Sequence, residues 1–364
     1  MKEFYFKKLD LYIFWRFIVS FFVAILLIIG IVIIFDISEK IDNFVEYDAP
    51  LKAIIFDYYV NFVPYFANMF SPLFVFITVI FFTSRLAANS EIVAILSGGI
   101  SYHRMMMPYL AAASLIALFS LVLSLFVIPY ANKTRVDFES KYVTPNSEFK
   151  HKDIHYQIAE GEYLYVETFS SWNQTAYRMT LESIRDGRLT SKLTAESAKW
   201  DSTMGGWHLR NYVQRDYNSS LSDVVTTGAA KDTIIPLTIV DFYCNENTMS
   251  ALTFRELNKL IKVQKMRGDA NVKLAQIERS NRFALPFSAF ILTIMGVSLS
   301  SRKKRGATGW NMAVGLALSF SYILFMRFSQ MFVYTDTLPP VVAMWLPNVV
   351  FSLIAAGLYR IAPK

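Results

Sequence analysis

Apolar residues fall into two blocks, roughly the first 130 positions and the last 80 or so, with a polar stretch between them. A membrane-spanning helix needs about 20 apolar residues at 1.5 Å rise each. Six segments meet or approach that length, at about 11–35, 54–82, 105–128, 283–299, 312–334 and 341–359. The fourth is short as an apolar run, and its helix has room to begin earlier, within 272–282. Pro64, Pro72, Pro286 and Pro347 lie in or beside these runs, where neighbouring helices can satisfy the carbonyls a proline frees.

From about 131 to 248 the period becomes two. Residues 153–169 alternate through Ile154, Tyr156 and Ile158, turn at Glu160-Gly161, and resume through Tyr163, Tyr165 and Glu167. Residues 175–201 repeat the pattern around Asp186-Gly187, and 205–217 and 233–243 supply further strand-like runs. Short strands with close turns predict a sandwich, a jelly roll or a partly open barrel. Next, Thr253-Phe254-Arg255-Glu256 reads as a capping box. It opens an amphipathic helix with Leu257, Leu260 and Ile261 that stops at Gly268, and a second helix from about Asp269 leads into the fourth span.

The predicted fold is therefore a membrane α-helical protein, six spans in a three-plus-three arrangement with an inserted all-β domain. The expected divisions are 1–130 for the first three spans, 131–249 for the β domain, and 250–364 for the connecting helices and last three spans. A hydrophobic content of 54% with 31 Phe agrees with an integral membrane protein. The apolar run after Lys7-Lys8 exceeds a signal peptide's core and no small-residue cleavage site follows it, so it reads as a permanent span. The net charge of +7 is read as orientation, and no nucleic-acid partner is expected. Cations gather at Lys2, Lys7 and Lys8, at Arg85 and Arg104, at Arg302, Lys303, Lys304 and Arg305, and at Arg360 and Lys364. The loop between the fifth and sixth spans has none, which puts both termini in the cytoplasm and the β domain outside. The single Cys244 forms no internal disulfide.

Candidate chemistry is sparse. No P-loop is present, the four histidines lack metal-ligand spacing, and no nucleophile motif appears, so no enzyme activity, cofactor or metal is expected. Two features stand out. Between the second and third spans a short helix is expected near 89–97, with Asn89 or Ser90 as cap, Glu91 in its first turn and Gly98-Gly99 as its stop. Ile92, Val93, Ile95 and Leu96 give it an apolar side, read as a docking surface for a cytoplasmic partner. The second feature is Arg327, inside the fifth span about seven residues, or 10 Å, from its outer end. An intramembrane charge marks either an anion site, such as one for a lipid phosphate, or a side chain that snorkels or pairs with Asp36 or Asp57. Lys40, Lys133 and Arg135 lie at or beyond the outer ends of spans, where they either extend an anion path or anchor at the interface.

Several stretches resemble one known family. Leu9-Asp10-Leu11-Tyr12-Ile13 is similar to the LDRYI start of a G-type subunit, with Leu11 in place of Arg. Pro64 and Pro72, then Leu86-Ala87 and Ser90-Glu91-Ile92 with a glycine about seven positions on, resemble a second span and coupling helix. Arg279-Ser280-Asn281-Arg282-Phe283-Ala284-Leu285-Pro286 resembles the approach to a fourth span. Together these resemble the permease subunits of the bacterial lipopolysaccharide exporter, the LptF/LptG (YjgP/YjgQ) family, more the LptG type than the LptF type.

The resemblance implies an inner-membrane, non-enzymatic half of an ABC transporter with a periplasmic β-jellyroll. It would pair with a second, related permease and dock two copies of a cytosolic ATPase. It would draw lipopolysaccharide through gates lined by the first and fifth spans and pass it to periplasmic jellyroll bridge proteins. Glu91, Ile92, Ile95, Leu96 and Gly98 would then form the ATPase-coupling surface, and Lys40, Lys133, Arg135 and Arg327 would contact lipopolysaccharide. Glu39 stands beside Lys40 where the G-type pattern tends toward consecutive lysines, and Ile33 occupies a position that can carry Lys. Two rivals are an ion-coupled secondary transporter, which would show intramembrane acids or an internal repeat, and a membrane-anchored binding or assembly module, for which six spans exceed what anchoring requires.

Overall fold

The computed structural model describes residues 8–143, 150–170, 173–201, 204–217, 223–235, 242, 246–269, 271–301 and 307–362. Lys2, Lys7, Cys244, Lys364, the run from Arg302 to Arg305 and most of 233–243 lie outside the described residues. Two compact units form, one from the helical blocks and one from 139–249 together with 255–275.

Among the described residues, six helices are long and apolar enough to cross a membrane. The first is α1 (Lys8–Glu46). The second comprises α2 (Leu51–Ala53), a π-helical stretch Ile54–Tyr59 and α3 (Val60–Ala88). After the short α4 (Glu91–Ser97), the third comprises α5 (Tyr102–Val122), a π-helical stretch Leu123–Val127 and α6 (Ile128–Tyr142). The last three are α9 (Val272–Ser300), α10 (Ala307–Tyr334) and α11 (Pro340–Ile361). All six predicted spans are thus present, and the fourth begins at Val272 rather than at its apolar run. The third span continues as helix to Tyr142, past the point where the period-two reading begins, because α6 carries Asn132, Arg135 and Phe138 inward at helical spacing.

α3 is the hub of the helical unit, packed against α1, α4, α5 and α10. Its Phe76, Val79 and Ile80 are buried, and Pro64 and Pro72 lie within the helix. Polar ties cross the bundle where lipid offers no alternative partner. Asn68 donates to Ser124 Oγ at 2.9 Å and accepts from Ser120 Oγ at 2.5 Å, joining α3 to the third span. Asn348 on α11 accepts from Tyr322 of α10 at 2.9 Å and donates to the Ala284 carbonyl of α9 at 2.8 Å, so one amide joins three helices.

Among its described residues the inserted unit has six antiparallel strands paired in chain order: β1 (Lys150–Ala159), β2 (Glu162–Ser170), β3 (Thr175–Arg185), β4 (Arg188–Asp201), β5 (Gly206–Asp216) and β6 (Val224–Thr233). The predicted hairpins fall where expected. Asp186 and Gly187 both take positive φ, 50° and 71°, the conformation a two-residue turn needs to match strand twist. Gly161 turns at φ 75°, and a Cβ there would lie 2.3 Å from the Ile184 carbonyl oxygen, so only glycine fits.

Tyr156, Leu164, Val166, Met179, Leu193, Trp207 and Leu209 form an apolar core together with Phe242. Phe242 stacks on Phe169 at 4.4 Å and touches both Tyr156 of β1, at 5.9 Å, and Trp207 of β5, at 5.7 Å. Flat strands at about 4.8 Å spacing would hold β1 and β5 about 19 Å apart, so one ring reaching both means the sheet is curled around its apolar face. β6 was not legible as a strand, since its Val-Val-Thr-Thr-Gly-Ala-Ala run is mostly exposed and lacks alternation. Beyond the sheet, α7 (Glu246–Ser250) is followed by α8 (Phe254–Arg267), which starts at the predicted cap and buries Leu257 and Ile261.

Candidate functional site

α4 is short because of its ends. Ser90 stands at the N-cap but in a left-handed conformation, φ 63°, and makes no side-chain capping bond. Asn89 donates to the Glu91 carboxylate at 3.2 Å instead, which corrects the expected capping. The stop is as expected. Gly99 takes φ 83°, its N–H reaches the Leu96 carbonyl at 3.0 Å, and the Ile100 N–H reaches Ile95 at 3.3 Å, a Schellman closure.

The apolar side divides in a way the sequence did not reveal. Ile92 is 1% exposed and belongs to the helical core, so it seats α4 on the bundle rather than facing a partner. Ile95 and Leu96 are half-buried against the same core, whereas Val93 and Gly98 are exposed and Glu91 is partly so. The face open to a partner therefore runs over Glu91, Val93 and Gly98, with Ile95 and Leu96 at its margin.

At the far end of α1, Lys40 is held in a network. Its ammonium lies 3.1 Å from Asp36 Oδ1, bonds the Tyr58 hydroxyl and sits 4.7 Å over the Tyr58 ring. Tyr58 and Tyr59, both from the π-helical stretch, donate to the two Asp36 oxygens at 3.2 and 3.1 Å. The wider turn brings two consecutive tyrosines to one carboxylate, an arrangement that a regular α-helical turn disfavours. Asp36 is thus the partner of Lys40, not of Arg327 as one reading of the sequence held.

Arg135 is 3% exposed, with its guanidinium 5.0 Å over Tyr65 and 6.0 Å from the Phe66 ring. Phe66 stacks on Phe62 at 3.9 Å, and Phe62 lies 5.8 Å from Tyr58. One aromatic ridge on the second span therefore carries Lys40 at one end and Arg135 at the other. Lys133 is exposed on α6. Arg327 is exposed on α10 between Leu324, Phe328 and Met331, and its Nη1 donates to Gln330 at 3.5 Å.

Three charges emerge that the sequence reading used only as orientation or motif. Asp10 of α1 and Arg104 of α5 form a bidentate pair at 2.8 and 2.5 Å. Arg282 is 3% exposed on α9, bound to Glu278 at 2.8 Å and to the Ser250 carbonyl at 3.4 Å. Asn132 on α6 donates to Ser250 Oγ at 2.8 Å, so α6, Ser250 and α9 are joined at the point where the chain leaves the helical unit and returns. An acid in the first turn of an apolar run, and an arginine one turn after Glu278, were the signals available.

Six spans divided three and three by an antiparallel β domain, with a short helix between the second and third, define a multi-pass membrane permease architecture. No curated protein matches the sequence. A family model described as "Lipopolysaccharide export system permease LptF/LptG" matches residues 11–361. The chain belongs to that family, a set of inner-membrane permease subunits of an ABC export system, and the family model covers the F and G types together.

Proposed function

We propose that this chain is one half of a lipopolysaccharide exporter whose ATP hydrolysis is supplied by a separate cytosolic ATPase. The observation that carries this reading is α4. It is seated by buried Ile92, closed by Gly99, and presents Glu91 and Val93 outward in a family of ABC permeases. Both termini and α4 lie in the cytoplasm, and the curled β domain lies in the periplasm, by the distribution of cations. A second, related permease completes the membrane unit, two ATPase copies dock on the two coupling helices, and periplasmic jellyroll bridge proteins take the lipid onward.

Lipopolysaccharide carries phosphates and acidic sugars on an apolar anchor. Arg327 offers a charge on an otherwise apolar, outward face of α10, and Lys133 an exposed charge on α6. Lys40 holds its charge on the aromatic ridge beside Asp36, which an arriving anion would displace, and Arg135 is buried at the other end of that ridge.

Affinity purification of the tagged chain in mild detergent, followed by mass spectrometry, tests the assembly. Recovery of an ABC-type ATPase, a second six-span permease and lipopolysaccharide supports the reading, and Glu91→Arg should strip the ATPase while leaving the second permease bound. Recovery of the chain alone in several detergents overturns it.

A further inference from the structure

α4 is joined to α5 by only Gly98, Gly99, Ile100 and Ser101. Ser101 caps α5 by accepting the Arg104 N–H at 3.3 Å, so only Ile100 separates the glycine stop of α4 from the cap of α5. Two side chains leave that turn in different directions. Tyr102 is buried, donates to Ser298 of α9 at 3.4 Å and packs on Tyr359 of α11 at 5.6 Å. Arg104 reaches Asp10 in the first turn of α1 with both arms of its guanidinium.

Asp10 keeps 8% of its side-chain surface and Arg104 32%, so the carboxylate is withdrawn from water while the guanidinium stays partly hydrated. A bidentate guanidinium–carboxylate pair resists both rotation and sliding, unlike a single-point contact from a lysine. Along its length, α1 packs one face on the bundle through Ile13, Phe17, Phe21, Ile25 and Ile29. In its most apolar window 28% of the residues are buried, as in the fifth span, against 61% and 67% for the second and fourth. Leu11, Trp15, Val23, Leu26 and Leu27 stay exposed along it.

We propose that Asp10 and Arg104 are positioning residues that transmit displacement of α4 to α1, so that movement of the docked partner shifts the exposed face of the first span. The inference rests on the exporter reading above and adds the mechanical path that reading lacks. Since α1 packs on the bundle along one face and is uncovered along the other, a displacement at its first turn is carried along the whole helix.

The test measures lipopolysaccharide released per ATP hydrolysed in proteoliposomes holding the chain with its partner permease and ATPase. Asp10→Asn should retain the ATPase and its turnover while lowering lipid released per ATP by about tenfold, the scale of a typical coupling between sites. Asp10→Arg with Arg104→Asp should restore most of that ratio. If Asp10→Asn fails to accumulate, Arg104→Lys carries the test, because it keeps the charge and loses the fork, and it too should lower the ratio. A wild-type ratio in the accumulating single variant overturns the proposal. So does a loss of release that only follows loss of assembled complex, the result expected of a fold anchor. Absence of ATP-driven release from the wild-type assembly would instead sink the exporter reading itself.

Discussion

Gly315 on α10 faces Ile80 on α3 so closely that a Cβ at Gly315 would stand 2.1 Å from Ile80 Cδ1. Gly296 makes the same accommodation for α9, where a Cβ would meet Val79 at 2.9 Å and Phe76 at 3.1 Å. In lipid no hydrophobic force drives helices together, so dispersion at short range has to hold them, and small residues permit that range. Gly315→Ala should lower stability in detergent by about 1–3 kcal/mol through overpacking. Ile80→Val deletes the clashing Cδ1, and the double variant should recover most of the loss in a thermal-melt assay. A neutral Gly315→Ala would show that the Ile80 Cδ1 methyl turns aside to admit the added Cβ.

Asn68 predicts an asymmetry between its two ways of being broken. Replacing both serines, Ser120→Ala with Ser124→Ala, leaves the buried amide without these partners and should cost about 1–3 kcal/mol. Asn68→Leu leaves two hydroxyls that turn back to carbonyls four residues earlier, and should cost less. Denaturation in mixed micelles ranks the two, and the reverse order would mean that the amide is stabilised elsewhere.

The spans, the inserted β domain and the Asp186-Gly187 turn were legible because each rests on local periodicity or turn chemistry. The inward turn of Ile92 was not. An apolar residue on a seven-residue helix of about two turns has the same sequence signature whether it meets a partner or its own bundle. Lys40 and Arg135 were found as cations at span ends, but the ridge that carries them depends on a π-helical turn and on packing between residues more than 60 positions apart, such as Arg135 and Tyr65. The Asp10–Arg104 pair spans 94 positions, beyond any periodicity.

Asp36 accepts from Tyr58 and Tyr59 and pairs with Lys40, so the partners should not be equivalent. Asp36→Ala removes the acceptor shared by two hydroxyls and an ammonium and should destabilise by about 2 kcal/mol or more, whereas Lys40→Ala leaves the carboxylate two donors and should cost about 1 kcal/mol. Asp36→Asn releases Lys40 from its internal anion. On the exporter reading it should raise the yield of lipopolysaccharide copurified with the chain, and Lys40→Ala should lower it. Equal yields from both variants and the wild type would remove Lys40 from the lipid path.

In the β domain, Asp216 is held below its ordinary value of 3.8, first by the Ser191 hydroxyl, which donates at 2.6 Å, then by Gln214, with Lys231 adding a favourable charge. A lowered folded value means that the ionised form is favoured by folding. Its contribution is therefore complete above the ordinary value and is lost as pH falls through the lowered one. Tyr165 shows the opposite sign. Donating to Asp153 raises its hydroxyl above 10.0, so that contribution is present below 10.0 and is lost as pH rises through the raised value. The protection factors of the β4–β5 amides, in which the intrinsic pH dependence of exchange is divided out, should therefore fall on acidification in the wild type. Asp216→Asn should exchange faster at neutral pH and change less with acid, because it has no proton left to take up. Parallel acid profiles in the two proteins would move the acid sensitivity of this hairpin to another carboxylate.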